Sequence, residues 1–483
     1  MRYTGTMRVS VSTVRLWLLA VVVFGGAIAL QPSLGFNVFH FPSLRVGVYQ
    51  LATVGLVCCS LPLWWHALVS LRKRCWVVVA AGLLSLSLAI GMLSSQVPGR
   101  TALYTISLLY LLLTGLAAAV TYQSLSQQQR ARLMTIGLWS GVVCGIAAVS
   151  QLLAASFHPT AFGTLCSGCH AGVFGFPRVN LLAAEPQFLA SSLLPSLWAG
   201  FCFRNNRRVA AWSVFWTSLA IGLTFSRGAF VAIIAASILY LLVLVWRYRQ
   251  PADRPGVKKS LKSFTACSGI MLAGIVVSFS LLLLSATIRY HDTPHITYRT
   301  AASMLDQLSL GVLKLPAKTE PPASPPAQST TPPPATGTKH FQPSGFVAAS
   351  SNDRLSAADL AVRAWLDSPK TIVFGVGLAN LGSFIQQTLH QPASLDQTVY
   401  IFYILLLSSI GLLGLLPLLA IALWALIQAG RHIDHPSGRF GFLLTSAFLI
   451  HFWFFGSLIN SVHCFAWIGV FLYNYRKNHA EKL

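Results

Sequence analysis

Arg178, Arg227 and Arg289 each stand at the edge of a long apolar run, where a guanidinium is costly without a partner and is therefore a functional candidate. Its planar fork of donors matches the oxygens of a phosphate two at a time. With Arg100 and Arg299 at comparable positions, the set would ring a cavity for an anionic ligand reached from the outer leaflet, and a lipid pyrophosphate fits. The plainer reading makes each arginine a snorkelling anchor at the membrane face. For Arg178 the plainer reading is an ion pair with Glu185, which a continuous helix would place about 10 Å along the same face.

Proton acceptors are scarce. Eight acids fall on the predicted outer side: Glu185, Asp292, Asp306, Glu320, Asp353, Asp359, Asp367 and Asp396. His291 and His295 flank Asp292, and His390 precedes Asp396; each is either a solvated loop residue or a base. His451 and His463, inside apolar runs, read as packing or helix-to-helix hydrogen-bonding residues. Cys166-Ser167-Gly168-Cys169-His170 has the spacing of a haem-attachment site. A local disulfide, a zinc site and no special role remain open for it. The chain has no GxSxG elbow, HExxH pair, phosphate-binding glycine loop or dense carboxylate cluster, so neither a metal nor a cofactor is expected.

The elements that must hold these groups are membrane helices. Of 483 residues, 55% are apolar and only 9% charged, with a mean hydropathy of +0.65. A soluble fold of this size carries far more charge. Apolar runs of about 20 residues, the length that crosses ~30 Å of hydrocarbon, recur along the chain. They predict an all-α polytopic bundle of about twelve transmembrane helices, at 16–34, 46–69, 75–94, 103–124, 133–155, 181–203, 209–225, 228–246, 264–288, 398–427, 440–458 and 459–475. The run 209–246 is too long for one crossing and must turn near Thr224-Phe225-Ser226-Arg227-Gly228. This pattern excludes a secreted globular enzyme and an outer-membrane barrel, whose strands are short and alternating.

A net charge of +23 would point to nucleic acid in a soluble chain; here its distribution decides. Of 34 lysines and arginines, 22 fall in one set of short loops and termini and four (Arg45, Arg100, Arg178, Arg227) in the opposite short loops. Positive loops stay cytoplasmic, so both termini are expected in the cytoplasm and nucleic acid is not an expected partner. A retained first span keeps the count even, although 16–30 with Ala27-Ile28-Ala29 also resembles a cleavable signal. The division is then 1–288 with nine helices, 289–397 as one large outer loop containing the proline-rich linker 316–334, and 398–483 with three helices and a cytoplasmic tail. Within the loop, Ser351-Asn352-Asp353 reads as a helix start.

Three stretches give the chain a resemblance to the O-antigen polymerase and ligase family of bacterial membrane glycosyltransferases. RVNLLAAEPQFLA (178–190) resembles the family's arginine-then-acid-proline segment, and LTFSRGAF (223–230) its Ser-Arg-Gly turn. DSPKTIVFGVGLANLGSF (367–384), followed by SSIGLLGLL (408–416), is similar to its Gly-x-Gly loop end and glycine-rich span. The resemblance implies a bacterial inner-membrane enzyme performing metal-independent, inverting transfer from an undecaprenyl-pyrophosphate-linked glycan at the periplasmic face. The acceptor would be a second lipid-linked glycan for a polymerase of O-antigen or exopolysaccharide, or lipid A-core or a protein for a ligase. A flippase of lipid-linked glycans is the rival of another class; it should show broken helices and internal symmetry. Arg178, Arg227 and Arg289 match the arginines assigned to pyrophosphate. The family ligases' His-Asn pair is replaced by Tyr400-Ile401, and with Glu185-Pro186-Gln187 this favours the polymerase. Asp396, His390 and Glu185 are the expected candidates, in that order, for the catalytic base.

Overall fold

The computed structural model describes residues 10–28, 33–36, 44–72, 75–157, 178–183, 185–203, 206–250, 254–290, 301–302, 305, 343–394 and 399–474. A helix overlaps each of the twelve apolar runs, but the first ends at Phe24 instead of near 34 and the eleventh at His451 instead of near 458. In chain order these are α1 (Val11–Phe24), α2 (Val48–Arg72), α3 (Cys75–Leu93), α4 (Pro98–Ser124), α5 (Gln127–Phe157), α6 (Pro186–Cys202), α7 (Arg207–Thr224), α8 (Arg227–Tyr248) and α9 (Arg254–Tyr290). α10 (Pro343–Leu366), α11 (Pro369–Phe374) and α12 (Leu381–Gln387) precede the last three, α13 (Phe402–Arg431), α14 (Pro436–His451) and α15 (Val462–Asn474). A short antiparallel hairpin, β1 (Ser33–Phe36) with β2 (Leu44–Gly47), joins α1 to α2 and pairs Ser33 with Gly47 and Phe36 with Leu44.

Among the described residues seven helices, α2 to α5, α8, α9 and α13, are long and apolar enough to cross a membrane. Only 22–44% of the residues in their apolar windows are buried, so most of that apolar surface faces outward. Trp65, Ile106 and Leu242 are 72%, 62% and 59% exposed, which suits lipid and would be an aggregation hazard in water. The protein is therefore membrane-embedded. α6 is the exception: every residue except Gln187 is buried, which makes it the central post against which the others stack.

Since lipid gives helices no hydrophobic reason to associate, small residues must let their backbones approach. A Cβ on Gly145 would stand 2.5 Å from the Trp216 carbonyl oxygen, one on Gly274 2.6 Å from that of Phe215, and one on Gly469 close against the Gly115 backbone. These contacts lock α5 and α9 onto α7, and α15 onto α4. Aromatic edges fill the remainder, as where Trp467 meets Phe24 at 5.4 Å and Phe440 at 4.8 Å between ring centroids.

The segment 369–394 does not stay apart from the bundle. Gly411, at φ 61° and ψ −172°, breaks α13, and the carbonyls of Ser408 and Ser409 are taken by the backbone N–H groups of Val376 (2.8 Å) and Gly377 (2.9 Å). Ser87 of α3 donates to the Ile410 carbonyl at 2.5 Å. Irregular backbone survives among membrane helices only where protein satisfies it, and this strand-like insertion does so. Gly375 (φ 75°) and Gly377 (φ 99°) are required there, since a Cβ on the first would run into the Ser409 backbone and one on the second would meet the Gly91 carbonyl oxygen at 2.8 Å. α10 also differs from expectation: it begins at Pro343 and runs through Ser351-Asn352-Asp353 unbroken.

Candidate functional site

The turn between α7 and α8 organises one end of the bundle. α7 stops at Phe225, whose φ of 49° and ψ of 41° are left-handed; burial of its ring, 5.7 Å from that of Phe279, holds it there. Thr224 Oγ1 donates to the Ile221 carbonyl (2.7 Å) and accepts from the Ser226 N–H (3.2 Å). Arg227 then opens α8 with Ser226 as its N-cap. Gly228 has no room for a side chain: a Cβ would overlap Phe454 Cβ and lie 3.3 Å from His451 Nδ1.

Arg178 reaches this turn from the segment before α6. Its Nε donates to the Thr224 carbonyl (3.0 Å), a terminal nitrogen donates to that of Phe225 (3.4 Å), and the Val179 N–H donates to Leu223 (3.2 Å). The guanidinium thus satisfies the open carbonyl end of α7, where a cation is favoured. Gln151 of α5 fixes the segment by accepting from the N–H groups of Asn180 (3.1 Å) and Leu181 (2.8 Å). The chain is not helical here. α6 begins at Pro186, and Glu185 is its N-cap with extended backbone (φ −143°, ψ 156°). The expected spacing of Arg178 and Glu185 along one helical face, and a sixth helix beginning near 181, are both wrong: Pro186 favours the first helical position and pushes its predecessor out of the helix.

Glu185 nevertheless belongs with the arginines. Its carboxylate accepts from Gln187 Nε2 at 2.6 Å and acts electrostatically on Arg178 and on Arg354. Arg178 is lowered to about 10, first by burial and then by the Arg227 charge, with Glu185 opposing and Arg354 adding to the lowering. Arg354 is itself lowered by burial, against the raising effect of Glu185 and Tyr400. Its guanidinium carbon lies 5.3 Å from the centre of the Tyr400 ring. Arg178, Arg227, Arg354 and Glu185 thus form one electrostatic group, three cations and one carboxylate among the described residues at this end.

Two members of this end were not expected there. Arg354 comes from α10; its signal in the sequence is a cation directly after an acid, Asp353, in a predicted helix. His451 ends α14 and is 1% exposed. Its ring faces the backbone amides of Gly228 and Gln187, yet neither ring nitrogen completes a hydrogen bond. Spacing gives no warning of this, because α14, α6 and α8 meet only in three dimensions. His463 is the expected packing residue, bonded to Ser191 Oγ at 3.1 Å.

The other expected residues divide. Arg100 lies 6.0 Å from the centre of its neighbour Tyr104's ring at the start of α4. His390 is exposed after α12, with φ 52°. Arg289 falls in the last turn of α9. Asp396, His291, Asp292, His295, Arg299, the Cys166–His170 motif and the linker 316–334 lie outside the described residues. Among the described residues no cluster of three metal-ligating side chains occurs. The comparisons with known proteins found no matching family model and no matching curated protein.

Proposed function

We propose that the chain is a bacterial inner-membrane glycosyltransferase that polymerises undecaprenyl-pyrophosphate-linked oligosaccharide repeats at the periplasmic face. The observation that carries the reading is that Arg227, Arg354 and Glu185 all lie within electrostatic reach of the buried Arg178. In this reading twelve helices span the membrane, both termini are cytoplasmic, and the arginine end faces the periplasm. An acceptor hydroxyl oxygen attacks the anomeric carbon while the bond from that carbon to the pyrophosphate oxygen breaks. The lipid pyrophosphate leaves with the electron pair, and its developing charge is met by fixed guanidiniums, the kind of stabilisation that supplies most of a barrier reduction. The acceptor's proton passes to a carboxylate or imidazole; Glu185 is the acid that packs with the arginines, and Asp396 and His390 are its rivals.

The flippase reading gains a broken helix, since α13 is interrupted at Gly411. That break is filled by the chain's own Val376 and Gly377 backbone and leaves no open carbonyl ladder for a cargo, which favours the enzyme. A deletion strain separates the readings. Lipid A-core capped by a single repeat means polymerase. Loss of all capping with polymer retained on the carrier means ligase, and repeats trapped in the cytoplasmic leaflet mean flippase. In the purified protein Arg227→Lys should lower turnover roughly 30- to 150-fold, because an ammonium cannot make the bidentate contact. Normal turnover by a well-expressed Lys variant would leave Arg227 a structural anchor.

A further inference from the structure

A second space, of opposite character, opens beside the arginines. A cavity of about 230 Å³ lies among α3, α4, α13, α14 and α15 and is lined by apolar and aromatic side chains. Along α13 its wall includes residues on both sides of the Gly411 break, from Phe402 to Trp424. At one end the Phe402 ring stacks on Phe452 with centroids 4.7 Å apart, and the Phe402 N–H donates to the Phe452 carbonyl at 2.9 Å. At the other end Trp76 meets Trp424 at 5.7 Å.

The Phe402–Phe452 end coincides with the arginine end. Tyr400, under Arg354, precedes Phe402 by two residues, and His451, against Gly228 and next to Arg227, immediately precedes Phe452. Neighbouring Cα atoms are about 3.8 Å apart, so residues that touch the cation-rich end stand within one or two chain positions of residues that line the apolar cavity. A molecule that satisfies both has an anionic head and a hydrocarbon tail.

We propose that this cavity receives the head-proximal part of a prenyl tail whose pyrophosphate sits at Arg178, Arg227 and Arg354. The proposal rests on the pyrophosphate reading above and adds where the protein grips the lipid. Volume sets how much is held: a cavity of ~150 Å³ accommodates one benzene, so this one takes only the first few carbons and leaves the remaining tail in the bilayer. Since the tail is as apolar in lipid as in protein, its transfer gains only the packing contacts of a few carbons, about ten-fold in affinity. The larger contribution is geometric: a fixed first segment sets the direction from which the pyrophosphate and its sugar meet the arginines and Glu185, and such orientation is worth large rate factors.

The test uses the full-length protein in phosphatidylcholine nanodiscs, with inorganic pyrophosphate and a fifteen-carbon prenyl pyrophosphate as probes. Leu406→Trp and Leu449→Trp fill the cavity near its Phe402–Phe452 end from different helices. Both should weaken prenyl pyrophosphate about ten-fold while pyrophosphate affinity stays the same; Arg227→Lys should weaken both ligands. Unchanged prenyl pyrophosphate binding in both filled variants would overturn the tail assignment and leave the arginine reading standing. An equal loss of pyrophosphate affinity in both would also overturn it, by showing general damage to the bundle. If Arg227→Lys changes neither ligand while the filled variants still discriminate, the tail site stands and the headgroup reading falls. In nanodiscs carrying photoreactive acyl chains, prenyl pyrophosphate should displace cross-links to the Phe402 and Phe452 peptides. Cross-links that persist at saturation would make the occupant an ordinary phospholipid and refute the proposal.

Discussion

At the scale of single residues, chemistry and support are divided among the arginines. Arg178 spends donors on the Thr224 and Phe225 carbonyls, so it holds the turn as well as contributing charge, whereas Arg227 is the first residue of α8. The lowering of Arg178 toward about 10, mainly by burial and then by the neighbouring Arg227, is a destabilising effect present at every pH below that value. The sign follows from linkage: a cation whose folded-state pKa is depressed leaves the unfolded chain binding more protons, so stability rises only as pH approaches that range. An anion offsets the same repulsion. Pyrophosphate should therefore raise the Tm of the purified protein at pH 7, and Arg354→Gln should reduce that rise; identical melting with and without pyrophosphate would count against the site. Among the expected bases, Glu185→Gln should cut polymer formation by roughly 10²- to 10⁴-fold, while His390→Gln, at an exposed position, should remain near wild type. Full-length polymer made by the Glu185→Gln protein at normal expression would move the base to Asp396.

At the scale of elements, the decisive feature is the pairing of the Gly375-Val376-Gly377 strand with the break in α13. The sequence makes Gly-Val-Gly visible as a motif but gives no reason for it. The reason is steric, since backbone meets backbone at Gly91, Ser409 and Gly411. Gly375→Ala forces a side chain into a positive-φ position and into the Ser409 carbonyl carbon, a cost of about 1–3 kcal/mol for the backbone alone. It should lower the Tm in detergent by several degrees and reduce turnover, because α13 carries Phe402 and positions Tyr400 before it. A Gly375→Ala protein that melts and turns over normally would show that the insertion is not a structural requirement. The α7–α8 turn obeys the same logic at Gly228, where His451 and Phe454 leave no space for a side chain.

At the scale of the whole molecule, the topology proposed from the 22-to-4 distribution of basic residues can be checked directly. In a cysteine-free background, Ser329→Cys should react with an impermeant maleimide in intact spheroplasts and Ser260→Cys should not; the opposite pattern would invert the protein in the membrane. The sequence by itself determined that the chain is an apolar helical, membrane-embedded protein, and roughly where the apolar helices fall. Apolar length and charge-free composition act locally, and each helix satisfies its own backbone. It also determined that Arg178 and Arg227 border those helices, because an isolated charge beside a long apolar run is legible one residue at a time. Only the tertiary structure decided that Arg354 and His451 join them, that Glu185 caps α6 instead of sharing a helical face with Arg178, and that Gly375–Gly377 enters the bundle to complete α13. Each of these joins segments distant along the chain, and their meeting depends on which small residues let helices approach and which carbonyls remain to be satisfied once they have.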